Sequence, residues 1–351
     1  MTEQATNQAK PLLDCLRGKQ TDKIPFWLMR QAGRYLPEYQ EIRKKAGGFL
    51  EMCLTPDLAC TVTLQPIERF GFDAAILFSD ILIVPYALGQ SLRFDEGIGP
   101  ILEPIRDEKA INALKPENFL SKITPVLETI HLLKKSLPAN KTLIGFAGAP
   151  WTVTSYMIEG KTSRDFTNSK KFAFSEPEQF QKLLDIITEN TILYLSEQIK
   201  AGADCIQIFD SWAGMLDEQS FYKYVIKPTQ KIIDRLKSQF PECPIICFPR
   251  QAGLMLEIYS QSCAADAISL DSSVPLAIAQ KIQKNKIVQG NLDPVWLLEG
   301  GKGMENTLIR LLDKLGKDRY IFNLGHGILP QTPTDHVKKL CDIIQNYQKT
   351  S

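Results

Sequence analysis

Two arginines, Arg30 and Arg34, stand four positions apart in the stretch Ile24-Pro25-Phe26-Trp27-Leu28-Met29-Arg30-Gln31-Ala32-Gly33-Arg34-Tyr35-Leu36-Pro37-Glu38-Tyr39, and their chemistry is anion binding. A guanidinium keeps its charge and donates paired, coplanar hydrogen bonds that match the two oxygens of a carboxylate. The apolar run Ile24 to Met29 has strand length and ends abruptly in Arg30, and Gly33 lets the chain swing before Arg34. Two cations therefore stand where a buried strand meets open space, which suits a polyanionic ligand. The plainer reading is a pair of surface arginines at neighbouring helix ends. Asp80 carries the opposite sign. It lies between Ala74-Ala75-Ile76-Leu77-Phe78-Ser79 and Ile81-Leu82-Ile83-Val84-Pro85. A carboxylate in such surroundings must be paired, hydrogen-bonded or functional, because desolvating it alone is expensive. It suits an anchor for N–H groups or for a developing positive charge, against a helix N-cap or a structural ion pair. His326 sits in Asn323-Leu324-Gly325-His326-Gly327, whose glycines leave room for a ligand. His131 and His336 fall in helical patterns and are assigned no chemistry.

These residues need elements to hold them. Eight short apolar runs recur along the chain: 24–29, 74–79, 143–147, 205–209, 244–248, 267–270, 286–289 and 320–324. Each is continuous, not alternating, as in strands buried on both faces of a parallel sheet. Amphipathic stretches separate them. Glu176 to Lys200 carries Phe180, Leu183, Leu184 and Ile187 on one stripe and stops at Ala201-Gly202, and Thr55-Pro56-Asp57 reads as a helix start with Thr55 as N-cap. A last helix runs from about Thr332 or Thr334 to Gln348. The alternation predicts a (β/α)8 barrel, an α/β fold, with an open doubly wound sheet as the competitor. In a barrel the chemistry lies at the C-terminal strand ends, which here are Arg30, Asp80, Gly148 with Pro150, Asp210 with Ser211, Arg250, Asp271, Asn291 and His326. Gln90 to Asn118 breaks the alternation and predicts a hairpin or lid inserted after the second strand, and Lys161 to Lys171 reads as a basic loop; both are expected over the same barrel end.

Composition limits the partners. The 351 residues carry 41 Lys and Arg against 40 Asp and Glu, a formal charge of +1, which argues against nucleic acid or an anionic membrane as a partner. Residues 1–10 read as a polar tail without the apolar centre of a secretory signal, followed by one barrel domain over 11–351. The most apolar segment, Ala74 to Gly89, is interrupted by Ser79, Asp80 and Pro85 and is too short for a bilayer, so a cytoplasmic protein is expected. The eight cysteines form no Cys-x-x-Cys pair and read as buried small hydrophobes. Gly300-Gly301-Lys302-Gly303 lacks the spacing of a phosphate loop and reads as a plain loop.

The strings Arg30-Gln31-Ala32-Gly33-Arg34-Tyr35-Leu36-Pro37-Glu38-Tyr39, Phe78-Ser79-Asp80-Ile81-Leu82, Gly145-Phe146-Ala147-Gly148-Ala149-Pro150-Trp151-Thr152, Tyr156 with Gly160, and Asn323-Leu324-Gly325-His326-Gly327 resemble the uroporphyrinogen decarboxylase family, in its order and from about residue 11 to 348. The resemblance implies a (β/α)8 barrel, usually a homodimer, that works without metal or organic cofactor. It implies stepwise removal of the four acetate carboxyls of uroporphyrinogen III to give coproporphyrinogen III. It further implies that Asp80 accepts hydrogen bonds from the pyrrole N–H groups and stabilises a protonated ring, and that Arg30 and Arg34 hold carboxylates. Arg30 is the candidate for acid chemistry, although a guanidinium is a poor proton donor. By the same resemblance Gln31, Ala32 and Gly33 shape the binding loop, Tyr156, Ser211 and His326 hydrogen-bond carboxylates around the rim, and Arg43 is a further anion contact or a solvated helix residue. A zinc-dependent methyltransferase is the rival on a similar barrel. It would call on Cys247 and Cys263, yet Cys247-Phe248-Pro249-Arg250 has no histidine two positions before the cysteine. A non-catalytic tetrapyrrole carrier would need the arginines but not Asp80.

Overall fold

Seven of the eight apolar runs form parallel strands whose side chains are buried on both faces. The computed structural model describes residues 9–95 and 97–347, so most of the expected polar tail lies outside the described residues. In chain order the strands are β1 (Ala74–Ile76), β2 (Leu92–Asp95), β3 (Gly99–Leu102), β4 (Thr142–Gly148), β5 (Cys205–Asp210), β6 (Ile245–Pro249), β7 (Ala267–Ser269), β8 (Ile287–Gln289) and β9 (Tyr320–Ile321). All but β2 and β3 pair in parallel in the order β1-β4-β5-β6-β7-β8-β9. β2 and β3 form an antiparallel hairpin after β1, as expected of the insertion; Glu96, between them in sequence, lies outside the described residues. Leu102 N–H bonds to Gly160 O (2.7 Å) and Ile105 N–H to Met157 O (2.9 Å), which ties the insertion to the helix Pro150–Glu159.

The first run, 24–29, is not a full strand, which corrects the expected eight. It bridges β9 only at Phe26–Phe322, while on its other side Asp73 N–H reaches Phe26 O (3.0 Å). Side chains have displaced the ladder. Pro25 has no N–H to give, Phe26 N–H goes to Asp73 Oδ2 (3.1 Å), Leu28 N–H to Gln31 Oε1 (3.1 Å) and Met29 N–H to Asn323 Oδ1 (3.0 Å). The segment still occupies the gap between β9 and β1 and closes the barrel. Asn323 Oδ1 also accepts from Leu324 N–H (2.8 Å), so this one oxygen ties the closing segment to the last strand end. Asn323→Ala leaves two buried donors without an acceptor and is expected to cost about 2–4 kcal/mol, read as a lower urea midpoint at unchanged slope.

Alternation along each strand sorts the core into two layers. Trp27, Met29, Ala74, Ile144, Cys205, Ile246, Phe248, Ala267, Ile287 and Ile321 fill the barrel interior, and the helix Pro11–Leu16 plugs its base with Leu12, Cys15 and Leu16. A buried polar belt crosses this interior: Trp27 Nε1–H bonds to Gln289 Oε1 (2.9 Å), and Gln289 Nε2 donates to Gln207 Oε1 (3.1 Å) and Ser269 Oγ (3.0 Å). The barrel is therefore a packed core whose free end is the C-terminal one. Ala75, Ile206, Ile208, Cys247, Ile268, Val288 and Phe322 face outward against the helices. The longest helix, Pro177–Ala201, buries Phe180, Leu183, Leu184 and Ile187 and stops at Gly202. Thr55 caps nothing, contrary to expectation; its hydroxyl donates back to Glu51 O (2.8 Å). The final helix runs Thr334–Asn346, and its expected end at Gln348 lies outside the described residues. Two expected loops are partly helical: Thr167–Ser175 takes the second half of the basic segment, and Gly301 opens a helix to Leu315.

Candidate active site

Five of the strand-end groups are linked by mutual charge interactions at the C-terminal end of the barrel. Arg30 follows the closing segment and Asp80 lies beyond β1 with the Arg30 charge acting on it. Tyr156 lies within charge-interaction range of both Asp80 and Arg30. His326 lies within range of Arg30, Arg250 and Asp271, and Arg250 within range of Asp271, Arg30 and Tyr156.

Arg30 is exposed and sits in the left-handed backbone region at φ 61°, a conformation a non-glycine residue holds only where its surroundings impose it. Those surroundings are visible. Gln31 is fully buried, its Nε2 donates to Ala74 O (2.9 Å), its Oε1 accepts Leu28 N–H, and its own N–H closes a turn on Leu28 O (3.0 Å). The Gln31 side chain is thus a strut beneath the loop Ala32-Gly33, the stretch expected to shape the binding site. Gly327 makes room for the guanidinium arm, because a Cβ there would lie 2.3 Å from Arg30 Cδ. Gly327→Ala is expected to turn Arg30 away and lower kcat/KM at least about 10-fold, while the melting temperature, which the exposed arm scarcely affects, stays nearly unchanged. The matching check is a thermal melt run beside the assay.

Asp80 is half-buried, four residues beyond the end of β1. Its Oδ1 accepts Leu82 N–H (2.8 Å), and among the described residues it has no ion-pair partner within 4 Å. Burial pushes its pKa up to about 6, opposed by the Leu82 hydrogen bond and the Arg30 charge. The carboxylate is therefore still ionised at neutral pH, yet weakly solvated and open to a donor or a cation. His326 behaves inversely: burial first, then the charges of Arg30 and Arg250, lower its pKa to about 3, so it presents a neutral imidazole.

Other expected residues sit nearby. Tyr156 is buried with Thr162 and Trp212 beside its phenol. Ser211 is half-buried, directly after β5. Arg34 is exposed and with Arg43 lies beside the phenol of Tyr39, whose ring packs edge-on against Phe78 (5.8 Å), two residues before Asp80. Cys247 and Cys263, weighed as zinc ligands, are buried beside Tyr259 on the helix side of β6. Among the described residues no group of three His, Cys, Asp or Glu side chains could hold a metal ion.

Asp210 was legible as a strand end but not as a structural device. Its Oδ1 accepts the Thr152 hydroxyl (2.5 Å), which in turn accepts Trp212 N–H (3.1 Å), so one buried carboxyl clips the Tyr156 helix to the Ser211 loop. Its Oδ2 is buried without a partner, and burial pushes the pKa up to about 7.

Comparisons with known proteins speak to the same chemistry. The family model of uroporphyrinogen decarboxylase (URO-D) matches residues 7–347. A protein of Rhodospirillum rubrum named uroporphyrinogen decarboxylase is 49% identical over 337 residues, 96% of this chain and 97% of its own. One of Brucella anthropi with that name is 48% identical over 336 residues, 96% and 98% of the two chains. Among solved structures, a methyltransferase from Methanosarcina mazei superposes with TM-score 0.77 at 21% identity, covering 95% of this chain and 97% of its own. A B12-independent methionine synthase from Shewanella sp. W3-18-1 gives 0.55 at 12% identity, covering 83% and 87%. These two likenesses are of fold, that of an α/β barrel.

Proposed function

The chain belongs to the uroporphyrinogen decarboxylase family and is a carboxy-lyase of porphyrin biosynthesis; from that premise we propose that its mouth separates two tasks, cationic and neutral donors gripping substrate carboxylates while Asp80 serves the ring that reacts. The observation that supports this reading is that Arg30 and Asp80, both beyond the C-terminal strand ends of one barrel, lie close enough for the Arg30 charge to act on the Asp80 carboxylate.

The chemistry defines what Asp80 must do. Loss of CO2 from a pyrrole acetate leaves an electron pair that needs a sink. Protonation of the pyrrole ring carbon makes the ring an iminium cation. The C–CO2 bond then breaks into that cation, and a second proton converts the exocyclic carbon to a methyl group as the ring proton is returned. Net, one proton is taken up and one CO2 released per acetate. A fixed carboxylate below the ring accepts the pyrrole N–H bonds and favours the cation, and its electrostatic effect is large because the site is partly dry. Asp80 has the required properties: ionised at neutral pH, held by one backbone N–H, and otherwise free.

Arg30 and Arg34 hold substituent carboxylates, and Arg30, whose charge acts on Asp80, is the candidate for acid chemistry at the departing group, although a guanidinium is a poor proton donor. Gln31, Ala32 and Gly33 set the loop that aims these arginines. Tyr156, Ser211 and His326 hydrogen-bond carboxylates at the rim, His326 as a neutral donor. The substrate under this reading is uroporphyrinogen III and the product coproporphyrinogen III, with the protein's own side chains sufficient for the chemistry. Anaerobic incubation with uroporphyrinogen followed by chromatography should show hepta-, hexa- and pentacarboxylate intermediates and then coproporphyrinogen; bound but unconverted substrate would instead favour the carrier.

A cytoplasmic homodimer completes the reading. Among the described residues no helix is long and apolar enough to cross a membrane, and all eight cysteines are free and buried, as suits a reducing compartment. Leu254 (95% exposed) after β6, and Val295 and Trp296 after β8, leave apolar surface on the mouth side for a second copy. Sedimentation at twice the chain mass is expected; sedimentation as a single chain would count against the dimer.

A further inference from the structure

The arginine at the end of β6 has no role in the account so far, although the fold holds it with unusual care. Arg250 N–H bonds to Asp210 O (3.0 Å), and Arg250 O accepts Gly214 N–H (3.2 Å). Its neighbour Gln251 is held in the left-handed region at φ 58°, with its N–H on Asp271 Oδ2 (2.6 Å). Gly214 permits this close passage, since a Cβ there would meet Gln251 O at 1.8 Å. Asp271 is itself fixed: its Oδ1 accepts Ser273 N–H (2.8 Å) and the Ser273 hydroxyl (2.5 Å). A strained backbone pinned from β5, from the 213–215 turn and from β7 spends conformational freedom on aiming one side chain, as functional positions do.

That side chain lacks a local counter-ion. Among the described residues neither Arg30, Arg34 nor Arg250 has a carboxylate within ion-pair distance. Asp271 lies in charge range of Arg250, but both its oxygens are already engaged. Burial together with the like charge of Arg30 holds Arg250 below the ordinary guanidinium range, and both cations act on neutral His326. Each guanidinium, with no carboxylate at ion-pair distance among the described residues, is open to an anion.

Their placement defines the ligand's span. Around the barrel the order is 24–29, β1, β4, β5, β6, β7, β8, β9, so β6 is fourth from the 24–29 segment in either direction. Arg30 and Arg250 therefore rise from opposite staves. We propose that Arg250 is a substrate-binding residue, holding a peripheral carboxylate on the side of the macrocycle opposite the one held by Arg30, with Asp271 as its positioning residue. The proposal rests on the reading that the mouth binds a polycarboxylate macrocycle, and it adds a grip far from the reacting acetate.

Such a grip is formed equally in ground and transition states, so its loss raises KM and spares kcat. Arg250→Gln is expected to raise KM for uroporphyrinogen about 10-fold or more with kcat within about threefold, and Arg250→Lys, which keeps the charge but not the fork, to fall between. In the native protein, phenylglyoxal labelling of Arg250, read by peptide mass mapping, should slow at least about 10-fold when coproporphyrinogen is bound. Labelling unaffected by coproporphyrinogen overturns the proposal whether or not the variants fold, and so does a Gln variant with native KM. Either result leaves the decarboxylase reading standing if the native protein still turns over; no turnover by the native protein would sink that reading instead.

Discussion

Asp80→Asn should lose about 10²–10³ in kcat while the folded protein becomes more stable at about pH 8. The asparagine keeps the shape and the Oδ1 that accepts Leu82 N–H, so the loss is electrostatic: a neutral amide cannot favour an iminium ring as a carboxylate does. The gain in stability follows from the same burial. The folded pKa of Asp80, about 6, lies above its ordinary value of 3.8. The folded state therefore binds the proton more tightly, and ionisation costs stability that grows as pH rises through that window and is fully present above it. Removing the charge recovers on the order of 1–2 kcal/mol above about pH 6, after discounting for partial exposure, and nothing below about pH 4. In the unaltered enzyme, turnover should fall as pH drops through about 6. Steady-state kinetics and thermal melts across pH test both signs at once. A variant with near-native turnover, or one destabilised at every pH, would remove Asp80 from the centre of the mechanism.

Replacing Arg30 by Gln should give the second largest effect, and it should depend on the substrate. A charge-assisted pair to a carboxylate contributes about 1.5–3 kcal/mol, so kcat/KM for uroporphyrinogen should fall about 10- to 150-fold. The pentacarboxylate intermediate, with fewer acetates to hold, should suffer less. Rates for each purified intermediate supply the test; equal losses for all would argue that Arg30 acts on the ring or on folding, not on carboxylates.

The barrel was legible because strands buried on both faces leave continuous apolar runs, and seven of the eight runs are strands. The eighth, 24–29, misled because its apolar content reports burial and not pairing: the partners of Phe26, Leu28 and Met29 are the side chains of Asp73, Gln31 and Asn323, distant in sequence or hidden inside a motif. Asp80 could be singled out since an acidic residue amid apolar ones is a local anomaly. Gln31 could not be separated from its neighbours, because whether an amide faces a ligand or the strand below it depends on a turn that periodicity does not encode. Arg250 was visible as a strand end, but its importance comes from the absence of a counter-ion in space and from Asp271 pinning the next residue, both tertiary facts. Asp210 was visible as a strand end and Thr152 within a family-like string, but nothing short of the fold joins them.

The central claim is that one opening holds a macrocycle by its rim while Asp80 faces its pyrrole nitrogens. A structure of the enzyme with coproporphyrinogen bound tests it most directly. Asp80 oxygens should lie about 2.7–3.2 Å from the pyrrole nitrogens, with Arg30 on a peripheral carboxylate. Pyrrole nitrogens turned away from Asp80, or a tetrapyrrole bound outside this mouth, would contradict the account.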